Sequence, residues 1–353
     1  MFKDRLERFF VLSMSFVPFF KNSWRLPNFK SRMLKTGFIT VVWLLLVVAF
    51  LDYSFNGHIG RSIEPSAEEK EIQPDQDWHS LLPQKMWQIY LAPPTANKTS
   101  FQIDPQNLVD TGSWLAHNPE YEYVLVGDKG AESLVRQHFM GNPTLLRIFR
   151  ELQNTGMKSD LLRYLILSKQ GGVYSDIDTV NLKPIDQWVP EGYQKNVRVV
   201  IGVEFDRLDG GNWGEVHPDL QFCQWTIAAT PGHPLFSYMI DWVISALEIF
   251  MEGRQTTFSE LKVKSAEVMK MTGPAAWTDA VFRQLQQYEP DLTSLRNLSG
   301  LVQPRLIGDI LIFPIDGFGM GQPHSNSTRD GSIPEEALVQ HKFRGSWRHN
   351  DMS

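Results

Sequence analysis

The sequence predicts an α/β layered fold: one domain with a mainly parallel sheet, preceded by a single N-terminal transmembrane helix. Three observations carry that prediction. Beyond residue 84, short β-branched or aromatic runs bounded by turn residues alternate with longer runs of helical periodicity. Near the N-terminus one uncharged apolar run follows a basic segment. No internal repeat or low-complexity break divides the body of the chain beyond that run. Composition agrees: of 353 residues 42% are hydrophobic and 21% charged, a globular balance with room for a large core. The lone Cys223 excludes an intrachain disulfide, a zinc ribbon and any CxxC redox motif.

Taken in order, residues 1–35 read as a cytoplasmic tail. Lys3, Arg5, Arg8, Lys21, Arg25, Lys30, Arg32 and Lys35 against Asp4 and Glu7 give it a charge of +6, leaving −12 for the rest of a chain whose total is −6. The run 37–51, GFITVVWLLLVVAFL, has no polar face. With its flanks, 36–53, it spans about 27 Å as a helix at ~1.5 Å per residue, enough for a thin secretory-pathway bilayer. Its basic flank stays cytoplasmic, so it reads as a signal anchor of type II topology with the body luminal. Residues 54–83 are polar and acidic without hydrophobic period, a stem. The glycosylation sequons at Asn97, Asn297 and Asn326 all fall on the luminal side. An acidic body excludes nucleic acid as a partner.

In the domain 84–353, strands are expected at 86–91, 121–127, 197–205 and 306–313. Helices are expected at 108–117, 133–140, 160–169, 234–251 and 275–288. There is no GxxxxGK[ST], GxGxxG, HExxH or GxSxG.

The chemistry concentrates in 158–183, KSDLLRYLILSKQGGVYSDIDTVNLK. Its first half reads as an amphipathic helix with Leu161, Leu162, Leu165 and Ile166 as the apolar stripe. On that pattern alone Asp160 and Arg163 form a solvated i,i+3 pair. Gly171 caps the helix, and Gly172 lets backbone pass close to a ligand. If Val173 to Thr179 is extended, Tyr174, Asp176 and Asp178 share one face. Paired carboxylates there call for a divalent cation, and hard oxygen ligands suit magnesium or manganese.

These stretches resemble a known family. Asp160-Leu-Leu-Arg163-Tyr164, Gly171-Gly172-Val-Tyr174 and Asp176-Ile-Asp178-Thr179 look like the signature of the DxD-containing sugar transferases of the GT-A fold. The nearest likeness is to the fungal Golgi initiation-specific α-1,6-mannosyltransferases of glycosyltransferase family 32. Trp87-Gln88, the run from Gln221 through Trp225 to Pro234, Thr272-Gly-Pro274 with Thr278-Asp279, and His341-x-x-x-Gly345-Ser346-Trp347 match as well. Ile89-Tyr90 stands where the family has Thr-Trp. The resemblance implies a GT-A nucleotide-sugar-binding domain on a Golgi type II anchor. It implies a metal-dependent, retaining transfer of mannose from GDP-mannose to an N-linked core glycan in α-1,6 linkage, with Mn2+ or Mg2+ as cofactor.

By the same resemblance, Asp178 and His341 hold the metal, and Asp176 holds the donor ribose and the metal shell. Trp87, Gln88, Asp160, Arg163 and Tyr174 serve the donor, and Ser346 and Trp347 close over its diphosphate. Glu204, Asp206 and Asp279 are acceptor-side acids. Expected partners are the nucleotide-sugar, an N-glycan or glycoprotein acceptor, the membrane, and a Golgi mannosyltransferase complex. Two other readings compete. One is an accessory, non-catalytic subunit of a Golgi mannan polymerase. The other is a phosphatase using Asp-Ile-Asp-Thr, which lacks a well-spaced late acidic pair beyond Gly308-Asp309.

Overall fold

The computed structural model describes residues 77–93, 103, 105–208, 210, 217, 219–322 and 326–344. The expected tail, membrane span and most of the stem lie outside the described residues, as do Asn97, Ser346 and Trp347.

In chain order the elements are β1 (Lys85–Ile89), α1 (Pro105–His117), β2 (Glu122–Val126), α2 (Asp128–Phe139), α3 (Pro143–Glu151), α4 (Thr155–Gln170), β3 (Gly172–Ser175), β4 (Thr179–Asn181), β5 (Val199–Asp206), β6 (Leu220–Phe222), β7 (Thr226–Ala229), α5 (Pro234–Arg254), α6 (Ser265–Met271), α7 (Pro274–Tyr288), β8 (Arg305–Ile307), β9 (Ile310–Phe313) and β10 (Val339–His341), with short helical turns between some of them. The main sheet has the order β2-β1-β3-β7-β5-β9-β8, with β6 added on β5. β1 pairs in parallel with β2 and β3, and β5 with β9. β6, β7 and β8 run against them. The result is a mixed α/β fold in which five of the eight strands share one direction. β4 and β10 form a separate antiparallel pair.

Strand alternation divides the apolar residues between two cores. Trp87, Ile89, Tyr174, Val199, Ile201, Ile310 and Ile312 join a core with α2 through α7. Met86, Val173, Val200, Leu311 and Phe313 join the other with Trp78, Trp114, Trp188 and Phe318. Burial on both faces explains why β5 reads VVIGVEFD, a continuous run and not an alternation. The helices start where the sequence can satisfy their free N–H groups. Asn142 accepts from Leu145 with Pro143 following, and Asn154 accepts from Met157.

α5 is long and apolar enough to cross a membrane. Its Leu235, Phe236, Met239, Ile240, Val243 and Leu247 are instead buried in the first core.

Three expectations are corrected. The stretch 306–313 is two antiparallel strands, because Gly308 turns the chain at φ +59. α4 is buried nearly all round, from Asp160 to Ser168, and not amphipathic. Strand β3 ends at Ser175, so Asp176, Ile177 and Asp178 form the turn between β3 and β4.

Candidate metal and donor-binding site

That turn brings the two carboxylates together by bending, where extended alternation was expected. Asp176 donates its main-chain N–H to the Trp225 carbonyl, 2.8 Å. Its Oδ1 accepts from Tyr174 Oη at 2.5 Å and lies 3.4 Å from Arg163 Nη1, while Oδ2 lies 3.8 Å from His341 Nε2. Burial alone would raise the Asp176 pKa, but Arg163, with His341 and Tyr174, holds it below the usual carboxylate range.

Asp178 Oδ1 is 3.3 Å from His341 Nε2, and Oδ2 accepts from the Arg344 N–H at 2.9 Å. The Asp178 carbonyl accepts from Lys342 at 2.8 Å. β10 therefore carries His341 to the turn through its register with β4, His341 opposite Thr179. One ligand atom from each of Asp176, Asp178 and His341 lies within 4.8 Å of the others. Two carboxylate oxygens and an imidazole nitrogen are a donor set that fits a divalent cation.

Beneath the turn, Asp160 and Arg163 are not the solvated pair expected from spacing alone. Their side chains are 7% and 5% exposed, with Arg163 Nη2 2.9 Å from Asp160 Oδ1. Arg163 also donates to the Gln224 carbonyl at 3.1 Å, and its guanidinium sits 4.8 Å from the Tyr174 ring centre. Asp160 accepts from Gln224 Nε2 at 3.1 Å and Thr272 Oγ1 at 2.9 Å. Burial still pushes its pKa up to about 6 against the pull of Arg163 and those donors.

Trp87 and Gln88 brace this arrangement. Trp87 Nε1 donates to the Gly171 carbonyl at 2.9 Å. Gln88 Nε2 donates to the Asp176 carbonyl at 3.2 Å, while its Oε1 accepts from Thr111 and Tyr123 at 2.8 Å each. Gly172, expected to open space for a ligand, opens it for protein. At φ +88 a Cβ would stand 2.6 Å from the Lys85 carbonyl and 3.1 Å from Trp87 Nε1. Gly172→Ala is therefore expected to cost about 3 kcal/mol or more and to displace Trp87. Thermal denaturation and Trp fluorescence check it.

The acids expected on the acceptor side separate. Glu204 accepts from Gln221 (3.0 Å), Trp225 (3.2 Å) and Gln322 (3.3 Å), and the Trp225 ring packs 4.7 Å from that of His341. Burial raises the Glu204 pKa. Asp206 turns its carboxylate onto Ser299, Gly300 and the Leu208 N–H. Asp279 is half-exposed on α7, 3.7 Å from His217. Of the sequons, Asn297 is exposed, and Asn326 gives its Nδ2 to the Asp206 carbonyl at 2.7 Å.

Sequence reasoning gave no role to Gln224, Thr272 or Trp225, although each lies in a matching stretch. It passed over Thr111, Tyr123, Asn107 and Asp110 entirely. Asn107 accepts from Arg344 Nη1 at 2.7 Å, and Asp110 Oδ2 forms an ion pair with the same nitrogen at 2.5 Å. The one signal for them is polar: Asn107, Asp110, Thr111 and Trp114 share a buried face of α1 at helical spacing.

Residues 107–194 match the family described as a glycosyltransferase sugar-binding region containing the DXD motif. Over that stretch the chain is similar to the DXD-containing glycosyltransferases. More widely it is similar to proteins named initiation-specific α-1,6-mannosyltransferase. It is 34% identical to that of Schizosaccharomyces pombe over 77% of this chain and 65% of the relative. It is 32% identical to that of Candida albicans over 68% and 66%, and 24% identical to that of Saccharomyces cerevisiae over 78% and 80%. The chain thus spans slightly less than two thirds of the length of the first two relatives.

Proposed function

We propose that the protein is a metal-dependent, retaining α-1,6-mannosyltransferase of the GT-A type. It moves mannose from GDP-mannose to an N-linked core glycan, on a type II Golgi anchor with the domain 84–353 luminal. The observation that carries this reading is the cluster of Asp176, Asp178 and His341 standing against the buried Arg163, its two aspartates inside the matched DXD region of a chain whose relatives bear that name.

A bound divalent cation would neutralise the charge that develops on the leaving nucleoside diphosphate, which makes it a good leaving group without a proton. Asp178 and His341 are the residues that would hold it. Asp176, pinned through one oxygen by Tyr174 and Arg163, would offer the other to the cation and the donor ribose. Asp160 and Arg163 fix that geometry from below, with Trp87 and Gln88 as braces. By the family resemblance, Ser346 and Trp347, which lie outside the described residues, would close over the diphosphate. Of the acceptor-side acids Glu204 is the one that reaches the site wall, through Trp225. Asp206, held by Ser299 and Gly300, and Asp279, beside His217, stay acceptor-side candidates with no contact to that wall among the hydrogen bonds and ion pairs of the described residues.

The test is incubation of the protein with a panel of nucleotide-sugars and core N-glycans, with and without manganese, with products resolved by linkage. Transfer of mannose from GDP-mannose alone, lost in chelator and regained with manganese, is expected. Equal activity in excess chelator, or phosphate release from phosphomonoesters as the main reaction, would refute the reading. Luminal placement predicts glycan occupancy at Asn297. Digestion of the domain by protease added outside sealed microsomes would contradict it.

A further inference from the structure

At the other end of β3 from the carboxylate turn, the segment 195–198 that leads into β5 and the β8–β9 hairpin border an open surface pocket of about 340 Å3, lined by Lys195, Asn196, Arg198, Leu306, Gly308 and Asp309. β3 and β5 point the same way through β7, which is antiparallel to both. The turn follows the end of β3, whereas the pocket precedes the start of β5. Val199 is level with Gly172 through Ala229, so the two sites lie at opposite ends of β3, separated along the strands by roughly the 13 Å that its four residues span.

Arg198 is the group that needs an explanation. It is only 7% exposed, yet among the described residues no carboxylate lies within ion-pair distance of it, and Asp309, which lines the same pocket, acts on it only from further off. Nη1 donates to the main-chain carbonyls of Val197 at 2.9 Å and Lys195 at 3.5 Å. Its Nε is buried without a partner. The nearby Asp309 is engaged elsewhere, with His233 Nε2 3.1 Å from its Oδ1 and a further hydrogen bond from Tyr288. Lys195, exposed on the rim, makes no ion pair among the described residues. Buried charges persist where something compensates them, and the free donors of a guanidinium fork match two oxygens of one phosphate. The pocket is at the small end of ligand sites, too small for a nucleotide-sugar.

We infer that Arg198, with Lys195 and Asn196, forms a second binding site that takes a small phosphate oxyanion, free or carried on a sugar. This is independent of the metal and donor site. The test is thermal denaturation of the whole protein in phosphate-free buffer with chelator, titrated with inorganic phosphate or with a hexose 6-phosphate. At ten times its Kd the ligand should raise the Tm by about 3 °C. A larger affinity for the hexose phosphate assigns the sugar-borne group, and equal affinities assign the free ion.

Arg198→Met should abolish the shift and, without phosphate, melt at or above the wild-type temperature, because an unpaired buried cation is replaced by an apolar chain of similar length. Lys195→Glu, on the exposed rim, should fold normally and weaken binding at least tenfold. If Arg198→Met fails to fold, Lys195→Glu decides. Equal protection of wild type and variants, or no protection of any, overturns the site. So does a folded Arg198→Met with a lowered Tm in the absence of phosphate, which would make Arg198 a strut for the 195–198 segment.

Discussion

Asp178→Ala is expected to reduce mannose transfer to background, a loss of at least about 10²- to 10³-fold, comparable to deleting a principal electrostatic contact in other enzymes. The carboxylate faces His341 on one oxygen and the Arg344 N–H on the other, so its removal takes a ligand from the cation and an anchor from the segment after β10. Asp178→Asn separates the two roles. The amide oxygen can still accept from Arg344, but the anionic ligand is gone, and turnover should fail almost as badly. His341→Ala leaves both carboxylates in place, and added manganese should recover part of its activity. The measurement is donor turnover across a manganese titration, with folding checked by thermal melt. Near-normal turnover in a folded Asp178→Ala protein would make the paired aspartates structural and end the proposed mechanism.

Arg163→Ala is expected to damage stability as well as catalysis. It leaves the carboxylates of Asp160 and Asp176 without their shared guanidinium, and uncovering one side of a buried ion pair costs about 3–5 kcal/mol, or roughly 10 °C in Tm. The sign of the pH dependence is fixed. Asp160 already titrates at about 6 in the folded state against 3.8 as the ordinary value. The native state therefore binds the extra proton first, and stability falls as pH rises through that window. Loss of Arg163 moves the upper limit of the window higher, so the variant should regain stability relative to wild type as pH is lowered from 8 toward 6. Arg163→Ala combined with Asp160→Asn should recover part of the lost Tm. A pH-independent deficit, unrelieved by Asp160→Asn, would show that packing alone is lost. In catalysis, Arg163→Ala should raise the donor KM and lower kcat partially, since the ligands of the cation remain.

Five of the helices and the principal strands were legible because their apolar periods are local. The short β6, β7 and β10 were not, since three or four residues carry no period and are defined by what they pair with. The same division runs through the site. Asp160, Arg163, Asp176 and Asp178 stand close together in sequence; the spacing of the two later aspartates and the family resemblance pointed to them, but not the burial of α4 that turns Asp160 and Arg163 from an ordinary surface pair into a shared internal charge. Thr111, Tyr123 and Asp110 act only across the fold, on Gln88 and Arg344. No spacing along the chain encodes that.

The pairing of β10 with β4 has a consequence for the order in which the protein assembles. Arg344 meets Asp178 across 166 residues of chain, whereas β1 meets β2 across about 37. Closing the longer loop costs about 1.3 kcal/mol more entropy at equal stiffness, and the reward is a three-residue strand. During synthesis the turn with both aspartates can form long before the imidazole that completes the cluster has been translated. A partly folded chain would hold the two acids without their third companion, and the candidate cluster is complete only once His341 has been made.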